Sequence, residues 1–254
     1  KMSHNSGKKS FNNGKINSRE SKKSLDDLKN LTVREQDECT HFISIPFNDD
    51  GFKQSFNAFR DDLIENFETY GVNENIIQKT EKLHKTILNL KLPNKEDVER
   101  AKEVMEKEQD ALTEILNKNT KKKHVLIHGL QKHPNFMATS YLFANVNSTA
   151  ILRIQEHVMA AFRRGNVSVL LSAGGFPPRA NQIGVISKNF LIPENTEDID
   201  YSFNPRPILG KYRNYVFGEF NILEMHLSRR WKIGDADDAT SVNGYYRNEM
   251  VINF

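Results

Sequence analysis

Apolar positions along the chain recur with two periods, three to four residues and two residues, and the order in which these alternate sets the predicted elements. Residues 39–47, Cys-Thr-His-Phe-Ile-Ser-Ile-Pro-Phe, read as a strand stopped by Pro46 and followed by the turn residues Asn48, Asp49, Asp50 and Gly51. Phe52, Phe56, Phe59, Leu63 and Phe67 then recur at spacings of three and four, which makes one apolar helix face. A strand over about 83–92 puts His84, Thr86, Leu88 and Leu90 on one face and Lys85, Ile87 and Asn89 on the other. Pro93 ends it. Asn94, with Asp97 three residues later, opens a helix carrying Val98, Ala101, Met105, Leu112, Ile115 and Leu116. Strands are predicted near 123–130 and 139–146. A third helix runs from Ser148 with Ile151, Ile154, Val158 and Phe162 inward and Gly165 as its stop. Strands at about 167–171, 182–190, 215–229 and 245–253 complete the chain, and Pro193 to Pro207 reads as a long surface loop.

Strand and helix alternate early, strands close the chain, and the order loosely repeats once. That favours an α+β fold with two lobes, each an antiparallel sheet with helices on its outer face.

Composition changes this picture mainly at the N-terminus. Of 36 Lys/Arg and 33 Asp/Glu, residues 1–30 hold eight and three, leaving 28 basic against 30 acidic in the body. A protein that tracks a nucleic-acid backbone by bulk charge shows a basic face, so phosphate recognition by this body has to be local. Residues 1–35 read as a disordered basic tail, a solvated leader rather than a localisation or RNA-binding arm, and 36–254 as the folded domain. No apolar run reaches the roughly 18 residues of a membrane span, and no apolar leader suggests secretion. The single Cys39 excludes an internal disulfide and a Cys-based zinc cluster. The expectation is an intracellular protein, nuclear or cytoplasmic, with no membrane contact.

The sharpest chemical feature is Leu83-His84-Lys85-Thr86-Ile87. Two-residue spacing on a strand sets an imidazole and a hydroxyl side by side, so that both can address one phosphate. The imidazole moves a proton near pH 7 and the hydroxyl donates to a phosphate oxygen. The same pair on the solvent face of an edge strand would be unremarkable, so context decides.

From Cys39 onward the chain resembles the two-histidine (2H) phosphoesterase superfamily, within it the nuclear-localisation-domain family of A-kinase anchoring proteins, and looks nearest to subunit one of the activating signal cointegrator complex. Thr40-His41-Phe42-Ile43-Ser44-Ile45-Pro46 looks like that family's opening strand, and Lys82-Leu83-His84-Lys85-Thr86-Ile87 like its first His-x-Thr motif. Gly129-Leu130 to Leu142-Phe143-Ala144-Asn145-Val146 is similar to its central hairpin; Tyr215-Val216-Phe217-Gly218 and Met225-His226-Leu227-Ser228 are similar to its terminal strand. The resemblance implies two His-x-Thr/Ser motifs facing each other across a cleft, one histidine as general base and the other as general acid on an RNA or nucleotide phosphodiester, without a metal or other cofactor.

The second motif departs from that pattern, because Gly174-Gly175-Phe176-Pro177-Pro178-Arg179-Ala180-Asn181-Gln182-Ile183-Gly184 holds no histidine. One register puts Arg179 and Asn181 at the His and Thr places, and another puts Gln182 and Gly184 there. Neither supplies a proton donor that titrates near neutrality, although Arg179 can clamp a phosphate. His226 and Ser228 form a second His-x-Ser pair, read as structural with catalysis as the alternative. Phe176, Tyr212 and Tyr215 are candidate base-stacking rings. His124 and His128 share a strand face with no third metal ligand apparent, and His157 is expected to face solvent near Arg153. Three functions remain open. The chain is a phosphate-binding pseudoenzyme or weak enzyme using His84, Thr86 and Arg179, with Asn181, Gln182, Phe176 and Tyr212 as further substrate contacts. Alternatively it is an active metal-independent phosphodiesterase using His84 and His226, or a protein-interaction module of a larger complex.

Overall fold

The computed structural model describes residues 39–118, 123–132, 139–172, 174–190, 201–230 and 244–254. The basic tail expected over 1–35 and most of the loop expected after Pro193 lie outside the described residues. Among the described residues no helix is long and apolar enough to cross a membrane.

The strands are β1 His41–Pro46, β2 His84–Leu90, β3 His124–Gln131, β4 Tyr141–Asn147, β5 Val169–Leu170, β6 Gln182–Ser187, β7 Val216–Asn221, β8 Glu224–Arg229 and β9 Asn248–Asn253. They form two antiparallel sheets, ordered β5-β2-β1-β8-β9 and β6-β4-β3-β7. The helices are α1 Asp50–Glu65, the single turn α2 Phe67–Tyr70, α3 Lys95–Lys107, α4 Gln109–Asn117, α5 Thr149–Arg164 and α6 Arg206–Tyr212. The fold is therefore the two-sheet α+β arrangement that the alternation implied.

Local chemistry starts the helices where expected. Asp49 Oδ1 accepts from Phe52 N at 2.8 Å, and Asn94 Oδ1 accepts from Asp97 N at 2.9 Å. Phe52, Phe56, Phe59 and Leu63 are buried, and α1 lays them on the four-stranded sheet; the Phe59 and Phe217 rings meet edge-on at 5.2 Å. Phe67, expected on the same face, is 53% exposed because α1 ends at Glu65 and the next turn swings it out.

Four further expectations are corrected. The strand over 215–229 is two strands in different sheets: β7 pairs with β3 and β8 with β1, so the chain crosses between sheets at Ile222 and Leu223. The helix after Asn94 breaks at Glu108, whose carboxylate takes His157 Nε2 at 2.6 Å and Arg164 Nη2 at 3.1 Å. His157 therefore clasps the α3–α4 joint instead of facing solvent. The end of the Pro193–Pro207 loop is the start of α6. Gly165 does follow α5, but with φ −81°, so it is not needed for a left-handed turn. A Cβ there would stand 2.4 Å from Val104 Cγ2, which makes Gly165 the point of close approach of α5 to α3. Gly165→Ala is expected to cost about 1–3 kcal/mol by overpacking, read by urea denaturation, and Val104→Ala is expected to recover most of it. No recovery would place the cost elsewhere.

The two sheets are tied beneath β2 and β6. Ile77 bridges to Ile186, and Gln78 N donates to Val185 O at 2.9 Å. The buried Gln155 of α5 donates from Nε2 to Ile87 O at 2.8 Å and Pro178 O at 2.7 Å. Lys85, 3% exposed, donates from Nζ to Arg179 O at 2.5 Å and Gln182 O at 3.0 Å. Satisfying these carbonyls with buried side chains fixes where β6 starts relative to the His84 strand.

Candidate functional site

β2 and β6 begin alike. His84 and Thr86 are half-buried around the buried Lys85, and Gln182 and Gly184 are half-buried around the buried Ile183. Both strands thus present their first and third residues on the more open face. Arg179 and Asn181 lie in the exposed turn before β6, whereas Gln182 and Gly184 are the first and third residues of β6, as His84 and Thr86 are of β2.

The His84 ring is fixed by its neighbours. Nδ1 lies 2.7 Å from Lys82 O, which can only accept, so Nδ1 carries the hydrogen and Nε2 the lone pair. Thr86 Oγ1, 3.1 Å from Nε2, donates to it. Phe42, Tyr246 and Tyr245 surround the imidazole at ring distances of 5.1, 5.4 and 6.1 Å. Desolvation pushes the His84 pKa down to about 4, with the charges of Lys85 and His226 adding to it against the opposing Lys82 carbonyl. The free site therefore holds a neutral imidazole whose Nε2 is masked by the hydroxyl. An arriving phosphate oxygen can take the Thr86 hydrogen, unmask Nε2 and, by its charge, favour imidazole protonation.

The opposite half holds no such group. Gly184 faces crowded space: a Cβ there would meet Tyr141 Cε2 at 3.2 Å, Phe190 Cζ at 3.4 Å and Tyr141 Oη at 3.5 Å. A side chain there would need the Tyr141 ring, whose hydroxyl lies close by, to give by a few tenths of an ångström.

His226 does not face His84 across the two sheets. It lies in the same sheet on the same face, in the cross-strand row Thr86, Ser44, His226, two strands away, or about 10 Å. It is 5% exposed, and Tyr245 covers it at a ring distance of 5.5 Å. Among the described residues neither ring nitrogen has a hydrogen-bond partner, and Glu224 Oε2 lies 3.2 Å from Nε2 without hydrogen-bond geometry. Tyr245 Oη bonds Ser44 Oγ at 2.9 Å between the two histidines. Ser228 is fully buried and donates to Asn248 Oδ1 at 2.9 Å.

Tyr212 is 4% exposed, donates to Asp62 Oδ2 at 2.6 Å and packs edge-on against Phe59, so its ring is not open to a base. Tyr215 likewise bonds Ser55 Oγ at 3.0 Å. Phe176 is 70% exposed and stands with Arg179 and Asn181 on the wall of a separate cavity. The rings that do touch His84, Phe42, Tyr245 and Tyr246, were not singled out from the sequence. The tyrosine pair after Gly244 was a visible signal, but it was absorbed into a strand that in fact begins at Asn248. His124 pairs with Glu219 at 2.9 Å, and among the described residues no three His, Cys, Asp or Glu side chains gather as a metal site.

Residues 39–254 match the family described as AKAP7 2′5′ RNA ligase-like domain. No curated protein matches the sequence. The crystal structure of the MHV ns2 PDE domain aligns with a TM-score of 0.48 at 12% identity, over 76% of this chain and 99% of that one. That of TT0787 of Thermus thermophilus aligns with a TM-score of 0.47 at 15% identity, over 84% and 97%.

Proposed function

Because the chain belongs to the AKAP7 2′5′ RNA ligase-like family of 2H phosphoesterase-like domains, we propose that it binds an RNA or nucleotide phosphate through His84 and Thr86 while lacking the second proton-transfer group. The observation that carries this reading is the pairing of strand starts. His84 and Thr86 offer a proton acceptor and a hydroxyl, whereas the matching places hold Gln182, which does not titrate, and Gly184, which has no side chain. Phosphodiester cleavage needs one group to accept a proton and another to give one to the leaving oxygen. A site with half of that relay binds phosphate and turns it over weakly, as a pseudoenzyme or weak enzyme. The buried, Tyr245-covered His226 is too enclosed to supply the missing half.

Thermal unfolding with 2′,3′-cyclic nucleotides and 5′-nucleoside monophosphates tests the site. Ligand at about 100 times its Kd is expected to stabilise by about 2.7 kcal/mol, on the order of 5–10 °C in Tm for this length. His84→Ala/Thr86→Ala is expected to abolish the shift, and a double variant that keeps it would remove this strand from the site.

A further inference from the structure

The chain enters β1 through Cys39, and Cys39 lies on the wall of a cavity of about 1380 Å³ bounded by the start of α5 and the 171–181 turn. Neither His84 nor Thr86 lines this cavity, so it stands apart from the phosphate position. Its rim is apolar and basic. Leu152 and Phe176, 48% and 70% exposed, leave large hydrophobic side chains in solvent there. The exposed Arg153 and Arg179 stand on the same lining, with the carboxylate of Glu156. Apolar side chains left open beside positive charge suit an occupant that is both apolar and acidic.

The residues immediately before Cys39 have that composition. Over 24–38 the acidic side chains are Asp26, Asp27, Glu35, Asp37 and Glu38, against Lys29 and Arg34, whereas residues 1–23 hold seven Lys/Arg against Glu20. The segment read from its summed charge as one basic tail is therefore two stretches of opposite sign. Within the acidic one, Leu25, Leu28 and Leu31 recur every three residues, the spacing that shares one helix face. A cube of 1380 Å³ has an edge of about 11 Å, the diameter of an α-helix with its side chains. The eight steps from Leu31 to Cys39 span up to about 26–29 Å, enough to cross it.

We propose that residues 24–38 dock in this cavity in cis, with Leu25, Leu28 and Leu31 against Leu152 and Phe176 and the acidic side chains toward Arg153 and Arg179. The folded unit then begins near Leu25, and the basic residues 1–23 alone form the leader. Docking here is independent of whether His84 and Thr86 hold a phosphate.

Hydrogen exchange of the full chain, read by mass spectrometry, tests the docking. Amides of residues 25–34 are expected to exchange about tenfold or more slowly than those of residues 1–20, as locally docked segments do. Arg153→Glu/Arg179→Glu is expected to remove that protection. So is Asp26→Lys/Asp27→Lys, which changes only the segment and leaves the folded body intact. Combining the four substitutions should restore protection, because the charges are then exchanged rather than lost. Equal exchange of the two stretches in the wild type overturns the docking. Protection that survives Arg153→Glu/Arg179→Glu overturns this cavity as its place. Protection that falls as the protein is diluted overturns docking in cis and assigns the cavity to the segment of a second copy.

Discussion

Gln182→His/Gly184→Thr placed in a Tyr141→Ala background is expected to raise hydrolysis of a 2′,3′-cyclic phosphate by roughly two to four orders of magnitude, the usual worth of one positioned proton donor. The register of β6 supplies the positions, and the packing at Gly184 supplies the condition. A threonine Cβ would stand 3.2 Å from the Tyr141 ring before its hydroxyl and methyl are added. Without the Tyr141 change, the two-residue graft is therefore expected to be less stable and to recover less activity, since the new side chain has to displace the Tyr141 ring. Adding His84→Ala to the triple variant should remove the gain, because the pair works as a unit. A triple variant that binds nucleotide yet turns over no faster than the wild type would mean that β6 does not reach the phosphate. Wild-type turnover sensitive to both His84 and His226 would sink the degenerate-motif reading altogether.

The sequence made the start of the strand carrying His84 and Thr86 legible because proline, spacing and alternation act within a few residues, and the same holds for α1 and for the Asn94 cap. The register shift opposite Ile43 and Ser44, however, reverses the phase after Thr86, so Asn89 is half-buried like His84 and Thr86 while Leu88 and Leu90, expected on their face, are buried. What local pattern did not carry was decided by distant partners. β7 and β8 read as one strand because both alternate without interruption; only their pairing with β3 and β1 separates them into two sheets. The register of the second motif stayed open between Arg179 and Gln182 because both follow the same turn, and the choice depends on where Lys85 and Gln155 anchor the neighbouring carbonyls. His226 and Ser228 have the spacing of a motif, but burial under Tyr245 cannot be read from spacing. Lys85 was placed correctly on the face opposite His84, yet nothing local announced that it would be buried.

Lys85 sets the expected pH dependence of the fold. Burial pushes its amine down to about 7 from the ordinary 10.5. Its partners among the described residues are two carbonyls and no carboxylate, and a neutral amine still has a hydrogen for each. Above pH 7 the folded chain thus lacks a proton that the unfolded chain keeps, and stability rises with pH wherever the unfolded state binds more protons. The slope should approach about 1.4 kcal/mol per pH unit between pH 7 and 9.5. Above that window Tyr212 and Tyr245, whose hydroxyls burial pushes up, oppose it as they ionise in the unfolded chain. On the acid side His84, held near 4 against an ordinary 6.5, makes stability fall as pH drops through that interval. Urea denaturation of wild type and Lys85→Met across pH 4–9.5 separates the two limbs. The variant should lose the alkaline rise and keep the acid fall, while His84→Gln should do the reverse. A wild-type curve flat from pH 7 to 9.5 would show that Lys85 stays charged when folded, and that the carbonyls of Arg179 and Gln182 hold a cation rather than a neutral amine.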